Sequence, residues 1–233
     1  MLLETRFARP RGDIGNAETF DGNALFETIQ AATIDRVRQG DGQDPALAEN
    51  FRAARDRLVA RGAEMITTSC GLLVFQQDRI ARGCPVPFTA SSLFQIALRQ
   101  RQFGCVAVLG LLRDSITPAH LEAAGVRGDV PVGALDDNAH LLSVLRADDP
   151  EIPIDMARAE ADLVAAGRDL VSRAPDIRAF VLECTNLPPY QDALVSALGR
   201  PVFGFRDWLE AIHMGEALPD GGLRSPRSPE VPV

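Results

Sequence analysis

Two cysteines in matching settings are the residues of this chain best suited to chemistry. Cys70 closes the run Glu64-Met65-Ile66-Thr67-Thr68-Ser69, and Cys184 closes Ala179-Phe180-Val181-Leu182-Glu183. Each is followed by a helix-compatible stretch and then by a run that opens Pro-Val, at Pro85-Val86 and Pro201-Val202. A chain that writes strand, Cys, helix and Pro-Val strand twice is expected to build two half-sites around one ligand. Two thiols on opposite sides of one carbon can take a proton from one face and return it to the other. In a parallel sheet, ligands bind beyond the carboxyl ends of the strands, where both cysteines fall. A helix N-terminus there offers free N–H groups that lower a thiol pKa from about 8.5 toward neutrality and can also hold a carboxylate. The plain alternative, a buried Cys acting as a small core residue, is weakened by the matched second copy.

Short hydrogen-bonding side chains surround both thiols: Thr67, Thr68 and Ser69 before Cys70, Thr185 and Asn186 after Cys184. These types suit a bound carboxylate, and they also suit helix capping. The loop Gly12-Asp13-Ile14-Gly15-Asn16 follows the first strand and should face the same cleft, so Asp13 and Asn16 are candidate binding residues. It reads equally well as a turn. Ser91 and Ser92, after the first Pro-Val strand, face that way too, with capping the stronger reading. Cys84 and Cys105 fall at the opposite strand ends and read as structural. No pair of residues has metal-ligand spacing, and His120, His140 and His213 are scattered, so no metal is expected.

Short apolar runs alternating with amphipathic stretches predict an α/β fold with parallel sheets. Strands are expected at Leu2 to Thr5, Phe26 to Ala31, Glu64 to Ser69 and Val86 to Ala90. The same order restarts at Cys105 to Leu109, Val130 to Leu135, Ala179 to Glu183 and Pro201 to Phe205. Helices are expected at Pro45 to Arg61, from Cys70 to about Arg82, through Ser91–Arg101, and at Pro118 to Ala124. Others follow at Met156 to Ala174, Pro189 to Leu198 and Asp207 to about Met214. The spacing of Leu47, Phe51, Ala54 and Leu58, and that of Ala159, Leu163, Ala166 and Leu170, supports the two long ones. The expected architecture is two pseudo-symmetric lobes, each a mainly four-stranded parallel sheet flanked by helices, with the active site in the cleft between them. Residues 1–90 and 205–217 would form the first lobe and 91–204 the second. Residues 218–233, rich in Pro, Gly, Ser and Arg, would be a disordered tail.

Composition removes several function classes. The net charge of −8 disfavours a nucleic-acid footprint and a polybasic membrane patch. All 24 basic side chains are Arg. With no Lys there is no lysine Schiff base and no covalently held pyridoxal cofactor. No apolar run nears the roughly 18 residues of a membrane span, and no secretory signal is visible. A cytoplasmic protein with free thiols is the expectation.

The motifs TTSCG around Cys70, ECTNLPPY around Cys184, PVPFTASS, PVFGF and RPRGDIGNAETF resemble the aspartate/glutamate racemase superfamily, which includes hydantoin racemases, maleate isomerases and arylmalonate decarboxylases. The resemblance runs through most of the chain and excludes the tail. It implies a racemase that needs no cofactor, with two lobes and a cleft between them. One of Cys70 and Cys184 would be the thiolate base and the other the thiol acid, the roles exchanging with substrate enantiomer. Thr68, Gly71, Thr185 and Asn186 match positions that hold the substrate carboxylate. A homodimer is suggested by the same resemblance. Three readings stay open: racemisation of an acidic amino acid or a related compound such as a hydantoin, a one-thiol cis–trans isomerase or decarboxylase of a small dicarboxylate, and a non-catalytic ligand-binding protein.

Overall fold

The computed structural model describes residues 1–39 and 44–216. The expected disordered tail, residues 218–233, lies outside the described residues. The elements in chain order are β1 (Leu2–Leu3), β2 (Thr28–Ile29), α1 (Ile34–Gln39), α2 (Pro45–Ala60), β3 (Ile66–Thr67), α3 (Gln77–Ala81), β4 (Phe88–Thr89) and α4 (Ile96–Phe103). Then follow β5 (Val106–Gly110), α5 (Pro118–Ala123), β6 (Val132–Ala134), α6 (His140–Ala147), α7 (Met156–Arg173), β7 (Ala179–Leu182), α8 (Gln191–Leu198), β8 (Val202–Phe203) and α9 (Phe205–His213).

All strand pairs are parallel. In the second half of the chain the order across the sheet is β6-β5-β7-β8. In the first half β1 pairs with β2 and β3 pairs with β4. Two backbone bonds join the pairs: the Met1 nitrogen donates to Thr67 O at 2.8 Å, and Ser69 N donates to Met1 O at 3.0 Å. The order is therefore β2-β1-β3-β4, strand for strand the order of the second half. Each cysteine follows the third strand of its row.

The strands are shorter than their apolar runs because side chains replace the ladder at their ends. Leu3 N donates to Ser69 Oγ at 2.9 Å in place of a backbone carbonyl, and Thr68 Oγ1 donates to Ala90 O at 2.7 Å. Alternation in the central strands sorts side chains to two cores. Val106, Val108, Ala179 and Val181 face α4 and join the core shared with the first-half elements, while Ala107, Leu109, Phe180 and Leu182 join the core of α7 and α8.

The two long helices start at acidic caps that satisfy otherwise free N–H groups. Asp44 accepts from Leu47 N at 2.8 Å, with Pro45 in the first turn, and Asp155 accepts from Arg158 N at 3.1 Å. Helix α6 has no local cap; its first N–H, on His140, donates to Asp162 Oδ2 at 2.7 Å from α7. Helix α9 closes over the first half, with Trp208 Nε1 donating to Thr89 Oγ1 at 2.8 Å. Among the described residues no helix is long and apolar enough to cross a membrane.

Candidate active site

Cys70 leaves β3 in extended conformation and caps a 3-10 turn, Gly71–Gln76, that runs into α3. The N–H groups of Leu72 and Leu73 favour its thiolate without making a cap hydrogen bond to the sulfur. Cys184 lies two residues beyond the end of β7, after Glu183. Its helix does not begin until the 3-10 turn Pro188–Tyr190, which leads into α8. The two loops are stitched together across the sequence: Thr185 Oγ1 donates to Ser69 O at 2.8 Å, so the residues flanking the two cysteines share a bond. Ser92 Oγ lies 2.8 Å from Leu182 O and 2.9 Å from Glu183 O and fixes the end of β7.

Cys70 and Cys184 line one cavity of about 110 Å³. That is well below the roughly 300–1,000 Å³ of sites for drug-sized ligands, so a small substrate fits. Most of its wall is apolar, with Leu3, Phe7, Leu72, Leu111 and Leu142 among the lining residues. Ser69, Gly71, Glu183, Asn186, Arg9 and Arg146 supply polar and charged groups.

A relay of side chains runs from Cys184 back to the N-terminal loop. The Cys184 thiol donates to Asn186 Oδ1 at 3.2 Å, and Asn186 Nδ2 donates to Asp13 Oδ2 at 2.6 Å. Asp13, itself 1% exposed, also accepts from Arg9 Nη1 at 2.8 Å and from Gly15 N at 2.7 Å. Arg9 Nη2 donates to Thr5 Oγ1 at 2.8 Å. The loop can reach the second cysteine because Gly12 has φ +100° and a Cβ there would sit 2.9 Å from Pro189 Cα.

The residues expected to bind substrate divide into three groups. Ser69, Gly71 and Asn186 line the cavity beside the thiols. Asp13, Thr68 and Thr185 are buried behind it and hold the loops in place. Asn16 caps a 3-10 turn, accepting from Glu18 N at 2.8 Å and donating to Arg9 O at 2.8 Å. Ser91 caps its own turn by accepting from Leu93 N at 3.1 Å. These two are kept from the cavity by the backbone groups they satisfy. Cys84 packs against the first core and Cys105 against the second, and neither lines the cavity.

The charge state of the thiols corrects the expectation of activation by helix N-termini. Burial, with the Glu183 carboxyl nearby, pushes the Cys70 thiol up to about 12, outweighing the N–H groups of Leu72 and Leu73. Burial and Glu183 also push Cys184 well above the usual thiol range, against one favourable N–H from Asn186. Glu183 is itself raised to about 7 by burial. The apolar wall thus outweighs the dipoles, and both thiols rest protonated. Sequence reasoning missed Glu183, whose signal was a charged residue ending the apolar run Ala179–Leu182. It also missed Arg9, whose signal was its four-residue spacing from Asp13.

No protein-family profile matches the chain. Among curated proteins it is 27% identical over 203 residues to a dimethylsulfoniopropionate lyase of Durusdinium sp. clade D, a match covering 82% of this chain and 65% of that protein. It is also 27% identical over 213 residues to dimethylsulfoniopropionate lyase 5 of Emiliania huxleyi (strain CCMP1516), covering 87% and 42%. The chain therefore spans only part of the length of these relatives. Among solved structures it is similar to unliganded arylmalonate decarboxylase, with TM-score 0.56 and 16% identity over 91% of this chain and 90% of that one. A liganded double variant of arylmalonate decarboxylase gives TM-score 0.61 and 16% identity over 97% and 94%. Allantoin racemase from Pseudomonas fluorescens gives 0.52 and 15% over 82% and 80%. The chain has the α/β fold, parallel sheets flanked by helices, of these arylmalonate decarboxylase and allantoin racemase structures. The proteins it resembles are enzymes.

Proposed function

We propose that the chain is a thiol-dependent enzyme that removes the proton α to the carboxylate of a small substrate, and that it works as a lyase on a propionate carrying a sulfonium leaving group. The observation that carries the first part is the meeting of Cys70 and Cys184, from the ends of β3 and β7, in one small, largely apolar cavity. The sequence similarity to dimethylsulfoniopropionate lyases supports the second.

The chemistry agrees with the charges in the wall. A proton beside a carboxylate is weakly acidic, so developing negative charge needs donors fixed in advance. The N–H groups of the Cys70 turn are the nearest donors, and Arg9 and Asn186, both bonded to Asp13, line the same wall. Acid groups raised by burial are recharged when a cation enters, because opposite charge favours the ionised form. A zwitterionic sulfonium substrate brings that cation with it. The thiolate takes the α-proton, the C–H electrons form a carbon–carbon double bond, and the β C–S bond breaks. Its electrons leave with the sulfur as a neutral sulfide.

Racemisation is the second reading, favoured by one observation: two thiols stand where elimination needs a single base. The two are separated by incubating the protein with dimethylsulfoniopropionate and with enantiopure acidic amino acids in deuterated water, followed by NMR. Vinyl protons of acrylate support the lyase. Inverted amino acid carrying α-deuterium supports the racemase. Neither product with any small carboxylate would leave a binding protein and sink both.

A further inference from the structure

One ionisable group in the cavity wall has no part in a two-thiol scheme. Glu183 is held by its backbone, its N–H donating to Leu109 O at 3.0 Å and its carbonyl lying 2.9 Å from Ser92 Oγ. The residue is 4% exposed. Its side chain crosses from the strand that carries Cys184 to the turn that follows Cys70. Oε1 lies 2.5 Å from the place of a Cβ on Gly71, and Oε2 lies 3.7 Å from the place of one on Gly110. The carboxyl thus lies between the two thiol-bearing loops and lines the cavity with both.

The ionisable groups acting around it are acidic: Cys70, Cys184 and, beyond Cys184, Asp13. The cations of the wall are engaged elsewhere, Arg9 with Asp13 at 2.8 Å and Arg146 with Asp137 at 3.6 Å. A carboxyl buried beside two thiols with no cation of its own contributes nothing to an ion-pair scaffold. It is, however, well placed to exchange protons with them.

We propose that Glu183 is the proton acceptor of the thiol pair, so that the site is a three-group acid–base cluster of Cys70, Glu183 and Cys184. This rests on the thiol-based proton abstraction proposed above and deepens it. The S–H bond of the thiol that serves as base breaks and its proton passes to a Glu183 carboxylate oxygen, leaving a thiolate. The thiolate takes the α-proton from carbon and becomes a thiol again. Elimination releases one net proton per turnover, and that proton leaves from Glu183 to solvent, restoring the carboxylate. The acceptor must be ionised to work, and with its carboxyl raised to about 7 it is ionised at mildly alkaline pH while the thiols are not.

The test compares the protein with its Glu183→Gln variant, reading alkylation of Cys70 and Cys184 by iodoacetamide through peptide mass mapping between pH 5 and 9. The unmodified protein should show a rise in thiol alkylation centred near pH 7, and E183Q should lack it. Turnover in E183Q should fall about a hundredfold, the usual share of a general acid–base group. If E183Q alkylates faster than the parent protein and keeps its turnover, Glu183 merely repels thiolate charge and the proposal is wrong. Should E183Q fail to fold, the infrared carbonyl band of isotope-labelled Glu in the parent protein decides. A buried carboxyl band that titrates near pH 7 and shifts when Cys184 is alkylated supports the assignment, and full ionisation from pH 5 to 9 overturns it. If no carboxylate is turned over while the alkylation step and the band both behave as stated, the Glu183 assignment stands and the lyase reading falls.

Discussion

The carboxyl of Glu183 packs against the backbone of Gly71 across the site. A Cβ at position 71 would sit 2.5 Å from Glu183 Oε1, 2.6 Å from the Glu183 backbone O and 2.9 Å from its Cγ, so glycine is required there by both the side chain and the main chain that follow β7. The residue after one cysteine thereby makes room for the residue before the other.

Substituting Gly71→Ala should displace the Glu183 carboxyl and press on the Glu183 backbone carbonyl at the end of β7, without removing any acid or thiol. Overpacking of this kind costs about 1–3 kcal/mol. Turnover should fall about tenfold or more while Cys70 and Cys184 remain countable by thiol titration of the denatured protein. Unchanged kinetics in G71A would show that the placement of the carboxylate is irrelevant.

Burial of Glu183 should make stability depend on pH in a defined window. Its folded pKa of about 7 stands above the reference value of 4.5. The carboxyl therefore stabilises the fold while protonated, and that contribution is lost as pH rises from below 4.5 through about 7. The full change is about 3 kcal/mol. Urea unfolding at pH 5 and pH 8 should show a drop of that order for the parent protein and a flatter response for E183Q. Equal slopes for the two proteins would mean that Glu183 does not titrate in the folded state.

Asp13→Asn should weaken both partners of the relay that ends at Cys184. Arg9, with 12% of its side chain exposed, loses its carboxylate, and Asn186 Nδ2 loses a charged acceptor. Breaking a buried pair from one side costs about 3–5 kcal/mol. The expected result is a lowered unfolding midpoint together with faster alkylation of Cys184 than of Cys70, because only Cys184 is hydrogen bonded through Asn186. Equal acceleration at both thiols would argue that the relay does not reach Cys184 selectively.

Thr185→Val removes the hydroxyl that bonds Ser69 O and joins the two cysteine loops. A lost buried hydrogen bond that leaves its acceptor unmet costs about 1–3 kcal/mol. Because the loops lose their common bond, kcat should fall with the substrate KM less affected. A variant with normal kcat would show that the loops are positioned by their strands alone.

The parallel α/β fold and the doubled strand order were legible because each repeat carries a β-rich run, a Cys, a helix and a Pro-Val run. So were α2 and α7, whose apolar spacing and acidic caps are local. Helix α6 was not, since its N-terminal N–H is satisfied by Asp162 from another helix, a partner no window around His140 contains. Helix α1, six residues long, is too short for periodicity to declare itself. At the site, the place of Cys70, Cys184, Ser69 and Asn186 in one cavity wall was legible from type and position, and that of Gly71 from the resemblance. Glu183 and Arg9 were not, because their importance comes from where neighbouring chain segments bury them. The thiol charge state was misread for the same reason: local sequence shows the N–H groups of a turn but not the depth of the apolar wall.

The measurement that bears most directly on the account is the fate of dimethylsulfoniopropionate with the parent protein and with the single variants Cys70→Ser and Cys184→Ser, followed by NMR in deuterated water. The parent protein should give acrylate and a neutral sulfide. At least one single variant should lose about a hundredfold or more of that rate, as expected for removal of the acting base. Full turnover in both variants, with the fold intact, would contradict it.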